Sequence, residues 1–408
     1  DELPEPERRL GSTLHDLTID HPLVLGAREA GYEVGGQDNA LSATTRIWRP
    51  DNSRLQARFV IIPALRDDFK QLIGDTPAPA TLARRLGLFA DALSAPYSVN
   101  ASTTGQDLMF HLAPSKEERL ARFTPHKPVP PAEIATLELD INWHRQPTEE
   151  ELQHRFVHAY DRGGSYLAGV SGCELGVGEP TFHANGTAFD RKVPGYWKVT
   201  LPERAEWLVP NPLDPLNRDQ NIAGRESWVS TPTLELAIEW GYEFDILEAW
   251  TWDTHTRLLD TWYERIRDAR TTLDVGGDDD AQAARNLLKE VYVRSLGLMA
   301  SFEHHEGKPG FAPERYHAIQ ARARANILRR VKKIGDDTGR WPVAITRDTV
   351  LYTSPLNEPD DAWPGDKRNY GRGLGQFKYE GSADLQSHLQ FLTGKGRYEG
   401  KSHLFELI

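Results

Sequence analysis

The sequence predicts an α/β protein with more than one domain. Its 408 residues exceed the usual size of a single domain. Strand-like runs alternate along the chain with segments whose apolar residues recur at helical spacing. The proline-rich segment 124–133 is typical of a linker, and we place the first domain boundary there. No run of about twenty apolar residues occurs, which argues against a transmembrane span.

The N-terminal region combines a hairpin and a helix. Residues 44–65 predict two strands around a turn at Asp51–Asn52. Residues 76–97 predict a helix with Thr81 as its N-cap. The stripe that this helix would bury consists of Leu82, Leu86, Phe89 and Leu93.

Strands dominate the middle of the chain before helices take over. Residues 195–203 alternate apolar and polar side chains, which predicts a strand. Residues 230–252 predict a capped helix, a stop at Gly241 and a strand. The helical segment 255–302 follows and is broken by the acidic turn 275–282.

A long helix and a hairpin are predicted near the C-terminus. Residues 313–334 predict a helix whose buried stripe consists of Ile319, Ala323, Ile327 and Val331. Residues 341–354 predict a β-hairpin that turns at Thr346–Asp348. Residues 374–380 predict a further strand.

Composition and missing motifs exclude several classes of protein. The single cysteine, Cys173, excludes a disulfide framework and a cysteine-rich metal site. The sequence contains no nucleophile elbow, Walker A loop, dinucleotide-binding fingerprint or zinc-protease motif. Adjacent His304 and His305 lack the spacing that lets one helix face bind a metal, so we expect both at the surface. The net charge of −12 argues against a uniformly basic nucleic-acid binder, but not against an enzyme with a local basic track.

Two aspartates stand where predicted strands turn. Asp161 follows apolar residues at the end of one strand, and Asp348 lies at the tip of the predicted hairpin. Two such carboxylates can converge and hold two Mg²⁺ ions for in-line phosphoryl transfer. Aspartate is also common in turns because it tolerates turn dihedral angles, so position alone leaves both interpretations open.

Basic side chains cluster on the predicted helix 313–334. With its apolar stripe buried, this helix would present four cations outward: Arg322, Arg329, Arg330 and Lys333. One interpretation is contact with DNA phosphates. The other is a solvated face whose cations compensate the helix dipole near its C-terminus.

The order and flanks of these elements resemble the protein-primed branch of family B DNA polymerases. YDRGGSY resembles the first palm motif, AITRDTVLY the metal-binding hairpin, and LGQFKYE the strand after that hairpin. LLKEVYVRSLGLMAS resembles the fingers helix, and GKGRY resembles the element that holds the primer terminus. The resemblance covers roughly residues 135–400.

This resemblance implies roles for single residues. Asp161 and Asp348 would be catalytic and would bind Mg²⁺ or Mn²⁺. Tyr166 would stack under the incoming sugar and exclude a 2′-hydroxyl group. Lys289 matches the lysine of the fingers helix and would contact the incoming triphosphate, although it could also only extend an exposed helix face.

Further cations would contact nucleotide or DNA. Arg270 is another candidate for the incoming triphosphate, since cationic clamps neutralise transferring phosphates. Lys395 and Tyr398 lie in the element that resembles the holder of the primer terminus.

The resemblance also implies an architecture. We expect a palm with an antiparallel sheet, helical fingers and an N-terminal degenerate exonuclease-like domain. Few residues follow Tyr398, so a thumb is expected to be reduced or absent. The predicted divisions are the exonuclease-like domain at 1–130, a first palm segment at 131–229, fingers at 230–312, and a second palm segment with a short C-terminal element at 313–408.

Still more closely, the chain resembles the telomere-associated proteins of linear actinobacterial replicons. RPDNSRLQARFVIIPAL and ITRDTVLYTSP carry some of that likeness. It implies binding of single-stranded or overhanging DNA ends, a terminal protein as partner and dNTP as substrate. It also implies a cytoplasmic, nucleoid-associated location and no membrane partner.

Departures from the polymerase pattern leave the function open. Thr346 stands in place of the first aspartate of the hairpin, and Leu296 replaces the base-stacking tyrosine of the fingers. The sequence therefore allows a nucleotidyltransferase that acts at DNA ends. It also allows a non-catalytic telomere-binding scaffold on a decayed polymerase fold, or a phage or plasmid replication factor.

Overall fold

The computed structural model describes residues 22–35, 44–60, 78–98, 100–134, 137–203, 208–214 and 223–387. The chain forms two compact units. Unit 1 comprises Asp1–Leu108 and Thr272–Ser295, and unit 2 comprises Met109–Thr271 and Leu296–Ile408. This division into two units does not test the four domains expected from the sequence, which stay a prediction.

Helices and antiparallel strands alternate along the described residues, which confirms the predicted α/β class. The helices are α1 (Pro22–Glu29), α2 (Pro79–Leu93), α3 (Ala101–His111), α4 (Lys116–Phe123), α5 (Ser165–Val170), α6 (Thr231–Glu239), α7 (Asp260–Gly276), α8 (Asp279–Leu298), α9 (Phe302–His305), α10 (Pro313–Thr338) and α11 (Pro359–Ala362). The strands are β1 (Glu33–Gly35), β2 (Thr44–Arg49), β3 (Asn52–Val60), β4 (Asn142–His144), β5 (Phe156–Arg162), β6 (Leu175–Gly176), β7 (Thr181–His183), β8 (Gly195–Thr200), β9 (Glu226–Ser230), β10 (Ile246–Thr251), β11 (His255–Thr256), β12 (Ala344–Thr346), β13 (Thr349–Ser354) and β14 (Phe377–Asp384). Within the described ranges, no helix combines the length and the apolar character needed to cross a bilayer.

Unit 1 contains a three-stranded antiparallel sheet in the order β1-β2-β3. Strands β2 and β3 form the predicted hairpin, in which Arg49 pairs with Asn52 beside the turn. Residues 61–65 of that prediction lie outside the described ranges of the chain. Helix α1 packs Val24 against Val34 of β1, so one face of the sheet is covered by this helix.

Helix α2 confirms most of the predicted apolar stripe, because Leu82, Phe89 and Leu93 are buried. The predicted N-cap is wrong. The helix begins at Pro79, two residues before Thr81. Proline is favoured in the first helical turn because the N–H that it lacks would have no intrahelical partner there.

The main sheet of unit 2 has five antiparallel strands in the order β14-β5-β13-β12-β4. Helix α10 covers one face, where Tyr160 of β5 and Ile327 of α10 belong to one apolar core. The other face has its own core, which includes Ala159 and Leu351. Side chains alternate between the two faces of a strand, so successive residues of β5 point to different environments.

A second sheet of unit 2 has the strand order β7-β10-β8-β9. The predicted helix, glycine stop and strand at 230–252 are confirmed as α6, Gly241 and β10. Gly241 has a φ of 81°, a left-handed conformation that glycine adopts without strain. Strand β10 pairs with β8, so this segment shares a sheet with the strand predicted at 195–203.

Helices α7 and α8 confirm most of the helical segment predicted at 255–302 and its acidic break, which is shorter than predicted because only residues 277 and 278 separate the two helices. The start of that prediction is wrong, because His255–Thr256 pair with Leu175–Gly176 as strand β11. Asp278 between α7 and α8 accepts a hydrogen bond from the Ala281 N–H at 2.8 Å, which caps the start of α8. Helix α10 confirms the helix predicted at 313–334 and continues to Thr338. It ends at Gly339, which has a φ of 72°.

A close approach of two helices anchors the residues after β5. Gly169 of α5 packs against α10, and a Cβ at this position would lie 2.7 Å from the Ile319 carbonyl oxygen. Only glycine therefore fits without a shift of backbone. The packing holds α5 against α10, and only two residues separate α5 from the end of β5.

Candidate functional site

The two predicted catalytic aspartates belong to adjacent strand ends of the main sheet. Asp161 pairs with Thr349 in the register of β5 and β13. The next residue, Arg162, donates its backbone N–H to the Asp348 carbonyl oxygen at 2.9 Å. The hairpin turns at Arg347 and Asp348, as predicted, and Arg347 has a φ of 54°. The fold thus places two residues that are distant in sequence at neighbouring strand ends.

Asp161 has a cation beside it. The Asp161 side chain lies on the same face of the sheet as Ala159, which is two residues earlier in β5. Lys378 pairs with Asp161 from β14, and its Nζ lies 3.0 Å from Asp161 Oδ2. Thr349 on the other side of Asp161 donates its hydroxyl to Glu380 Oε2 at 3.0 Å. The Asp161 carboxylate therefore has the Lys378 ammonium as its partner.

The donors at this end of the sheet suit Mg²⁺. Carboxylate oxygens are hard ligands, and Mg²⁺ is commonly bound through one or two carboxylates together with substrate phosphates. The Lys378 ammonium shows that a cation is accommodated at Asp161. No group of three or more His, Cys, Asp or Glu side chains that could hold a metal occurs among the residues described. A metal at Asp161 and Asp348 would therefore need oxygens from a substrate as well.

Asp348 influences two side chains of the site. Its negative charge favours the protonated forms of Arg162 and Tyr166. Arg162 is only 8% exposed, and burial together with the charge of Arg330 lowers its pKa to about 10. Its Nε donates to the Gly375 carbonyl oxygen at 3.2 Å. Its Nη1 is buried and has no hydrogen-bond partner within the described ranges.

Tyr166 is held by a residue that the sequence analysis missed. The Tyr166 hydroxyl donates to the Asp140 carboxylate, and Gln320 Nε2 of α10 donates to the same oxygen at 3.1 Å. Burial raises the pKa of Tyr166, and the charge of Asp140 raises it further. The phenol therefore stays protonated and remains a donor. Asp140 ends the alternating run LELD, which is a strand signal and gives no hint of this contact.

A buried ion pair fixes the segment that carries Asp140. Glu138 pairs with Arg324 of α10, and both side chains are almost fully buried. The Glu138 carboxylate also accepts hydrogen bonds from the Ser230 N–H at 2.6 Å and the Thr233 hydroxyl at 2.7 Å. Burial alone would raise the pKa of Glu138, but Arg324 and these donors outweigh it, and the pKa lies below its usual value. Glu138 is therefore ionised and fully satisfied.

Arg270, a predicted triphosphate ligand, reaches the turn that follows β5. The residue is 4% exposed, and its Nη2 donates to the Arg372 carbonyl oxygen at 3.0 Å. A Cβ on Gly163 would lie 3.2 Å from the same nitrogen, so the glycine leaves room for the guanidinium. The structure thus places Arg270 at the turn that follows Asp161, since Gly163 comes two residues after it.

The buried stripe of α10 is confirmed, since Ile319, Ala323, Ile327 and Val331 are all buried. Two of the outward cations have carboxylate partners. Arg329 Nε lies 2.6 Å from Glu239, and Lys333 Nζ lies 2.8 Å from Asp337. These partners reduce the positive potential that DNA would meet at both positions.

The other residues predicted to contact DNA or nucleotide lie in several parts of the chain. Arg330 and Arg322 are half-buried on α10. Lys289 is exposed on α8 and belongs to unit 1, so its predicted role at the triphosphate stays a prediction. Lys395 and Tyr398 lie outside the described residues.

The adjacent histidines do not behave alike. His304 is exposed, whereas His305 is 7% exposed and its Nε2 lies 2.9 Å from the Pro309 carbonyl oxygen. The expectation of two surface histidines is wrong for His305, because the short helix α9 turns this side chain toward the loop that follows.

Comparison with solved structures identifies a DNA polymerase-like fold. Phi29 DNA polymerase complexed with primer-template DNA and incoming nucleotide substrates matches with a TM-score of 0.51 and 13% identity, over 90% of this chain and 75% of that chain. The same polymerase complexed with single-stranded DNA matches with a TM-score of 0.51 and 14% identity, over 88% and 73% of the two chains. At this identity the likeness shows the fold alone. It confirms the polymerase-like fold that the sequence motifs predict.

Comparison of sequences adds one match. The model of a domain of unknown function, DUF8841, matches residues 1–99. No curated protein matches the chain.

Proposed function

We propose that this protein binds the ends of linear DNA and transfers nucleotides onto a primer supplied by a terminal protein. The observation that carries the proposal is the register of β5 and β13, which sets Asp161 beside the hairpin turn that contains Asp348. The polymerase-like fold supports it. Single-stranded or overhanging DNA and dNTP are the proposed substrates, and the nucleoid is the proposed location.

In this proposal Asp161 and Asp348 hold Mg²⁺ or Mn²⁺. When bound, such a metal stabilises the negative charge that phosphates carry during transfer. Lys378 occupies Asp161 when no metal is present and must release the carboxylate for one to bind. Residues 131–229 and 313–408 would form the palm, and residues 230–312 the fingers.

Tyr166 and Arg270 orient the nucleotide. The Tyr166 ring is fixed through its hydroxyl by Asp140, so a sugar placed against it meets a rigid surface. A rigid ring at that place excludes a 2′-hydroxyl better than a mobile one does. The buried guanidinium of Arg270, beside the turn after Asp161, supplies positive charge for the triphosphate.

A second function is a non-catalytic scaffold that binds telomeric DNA and recruits the terminal protein. The ion pair between Asp161 and Lys378 favours it, because that pair satisfies the carboxylate without any metal. Thr346, which stands on the strand before the turn, offers no carboxylate to a metal. In this function the strand ends are a structural remnant.

The deciding experiment measures incorporation of labelled dNTP in the presence of the terminal protein, a 3′-overhang oligonucleotide and Mg²⁺ or Mn²⁺. Wild type is compared with Asp161→Asn, Asp348→Asn and the control Asp336→Asn, which removes an exposed carboxylate paired with Lys332. The enzyme proposal expects incorporation by wild type and control. It expects a loss of about a hundredfold or more in the two site variants.

Binding of the overhang is measured in parallel. If all four proteins bind the overhang and wild type incorporates nothing with either metal, the scaffold is the function. If Asp161→Asn incorporates as well as wild type does, Asp161 has no catalytic role and the enzyme proposal is wrong.

A further inference from the structure

A cavity of about 480 Å³ lies at the C-terminal half of α10, where the helix faces the loop at 365–369. Its charged lining consists of Arg330, Lys333, Arg368, Asp337 and Asp366. The chain as a whole carries a net charge of −12, so a cavity with more basic than acidic side chains is a local exception. The sequence predicts the cations of α10 but not the cavity that joins them to a loop cation.

Two of the three cations have carboxylate partners, and both pairs are exposed. Lys333 Nζ lies 2.8 Å from Asp337, with side chains 65% and 56% exposed. Arg368 Nη2 lies 2.6 Å from Asp366, with side chains 89% and 42% exposed. Exposed ion pairs are weak because water and salt compete with them. A multivalent anion could therefore recruit either cation.

Arg330 is the third cation. Hydrogen bonds from Arg368 lower the pKa of Asp366, and the charge of Arg330 lowers it further, so Arg330 acts on a carboxylate that is already paired with Arg368. The positive charge of Arg330 also reaches Arg162 and lowers the pKa of that side chain. Arg162 is 8% exposed, and its buried Nη1 has no hydrogen-bond partner in the described ranges. The guanidinium groups of Arg330 and Arg162 therefore repel each other, and an anion bound at Arg330 would reduce that repulsion.

We propose that this cavity binds a phosphate group, with Arg330 as its principal contact and Lys333 and Arg368 as exchangeable contacts. The guanidinium presents a planar fork of donors that matches the oxygens of phosphate. Two sources carry this chemistry, the backbone of a DNA strand and a free nucleotide. The first deepens the DNA-binding component of the proposed function and rests on it, whereas the second does not. Neither needs nucleotidyl transfer at Asp161.

The test compares Arg330→Gln with Lys332→Gln. Lys332 belongs to the same helix, pairs with Asp336 and does not line the cavity, so its variant controls for the loss of one positive charge. One arm follows the fluorescence anisotropy of a labelled thymidine oligonucleotide of about 20 nucleotides at several NaCl concentrations. The other arm follows thymidine 5′-monophosphate by phosphorus NMR as protein is added.

If the phosphate belongs to a DNA strand, Arg330→Gln weakens oligonucleotide binding several-fold and lowers the salt slope of log K by about 0.7, while Lys332→Gln leaves both unchanged. If it belongs to a free nucleotide, Arg330→Gln loses saturable binding of the monophosphate and keeps the wild-type salt slope. A wild type that binds no oligonucleotide refutes the DNA-binding component of the proposed function, and the monophosphate arm still tests the cavity. Equal behaviour of the two variants with both ligands overturns the phosphate site.

Discussion

Lys378 Nζ lies 3.0 Å from Asp161 Oδ2, across the neighbouring strands β14 and β5. The lysine side chain is 41% exposed and the aspartate 19%, so the cation sits on the solvent side of the carboxylate. In a metal-dependent enzyme this ammonium competes with the metal for Asp161. In a scaffold it satisfies a carboxylate that has no other use. The two proposed functions therefore differ in what removal of Lys378 does.

Lys378→Met should make a catalytic protein easier to activate with metal. Because the competing cation is gone, the Mg²⁺ concentration for half-maximal incorporation should fall roughly threefold or more. The measurement is a Mg²⁺ titration of dNTP incorporation, with Lys332→Met as a matched control on α10. An unchanged midpoint would show that Lys378 does not compete for the metal site, and a raised midpoint would show that it contacts the substrate instead.

Arg324→Met should strongly destabilise unit 2. It leaves the ionised Glu138 buried without its counter-charge, which typically costs about 3–5 kcal/mol. Arg329→Met is the control, because its ion pair is at the surface and is worth about 1 kcal/mol or less. Both free energies of unfolding come from urea titrations. The double variant Arg324→Met with Glu138→Gln should recover some of the lost unfolding free energy, because it removes the buried charge as well. Equal costs for Arg324→Met and Arg329→Met would show that the buried ion pair of Arg324 and Glu138 is worth no more than a surface one.

Glu138 should also make stability depend on pH in the acid range. Its pKa in the folded protein lies below the reference value of 4.5, so the unfolded chain binds the proton more readily. Its contribution is therefore complete above that value and is lost as pH falls through the folded pKa. Glu138→Gln should flatten the decline of the unfolding free energy below about pH 4.5. Parallel declines in wild type and variant would assign acid sensitivity to other carboxyl groups.

Periodic segments of this chain were predictable because the pattern itself is the physical cause of the fold. The stripe that contains Ile319 and Ile327 must face a core, and α10 buries it as expected. The β12–β13 hairpin follows from two apolar runs separated by a turn that ends at Asp348. The positions of Asp161 and Asp348 at strand ends follow from the same elements.

Contacts between distant segments were not predictable in this way. Glu138 and Arg324 are 186 residues apart, and no local pattern indicates their pairing. Asp140 was missed for the same reason, since its partners come from α5 and α10. The outward direction of Arg329 was predicted, but its neutralisation by Glu239 of α6 depends on how the helices pack.

Gly169→Ala should destabilise the junction of α5 and α10. The added Cβ would lie 2.7 Å from the Ile319 carbonyl oxygen, and backbone must shift to make room. Overpacking of this kind costs about 1–3 kcal/mol. Gly297→Ala is the control, because nothing lies within 4 Å of a Cβ there and alanine should stabilise α8 by about 0.5–1 kcal/mol. Opposite signs are expected in urea unfolding, and a neutral Gly169→Ala would mean that the helices separate easily.

Asp140 should determine how well the protein excludes ribonucleotides if it is an enzyme. Asp140→Ala leaves the Tyr166 hydroxyl without its acceptor and frees the ring that, in the proposed enzyme, would face the sugar. The loss of one such hydrogen bond is worth about 1.4 kcal/mol, so discrimination against rNTP should fall about tenfold. The measurement is the ratio of incorporation efficiencies for dNTP and rNTP.

Three further variants, Asp140→Asn, Tyr166→Phe and Tyr166→Val, separate anchoring of the hydroxyl from packing of the ring. Asp140→Asn keeps an oxygen acceptor and should discriminate nearly as wild type does. Tyr166→Phe keeps the ring but loses the donor, so it should match Asp140→Ala if the hydrogen bond to Asp140 fixes the ring. Overhang binding serves as the control for folding and should be the same in all these proteins. Full discrimination by Asp140→Ala together with a loss in Tyr166→Val would show that packing alone holds the ring, and Asp140 would then have no positioning role.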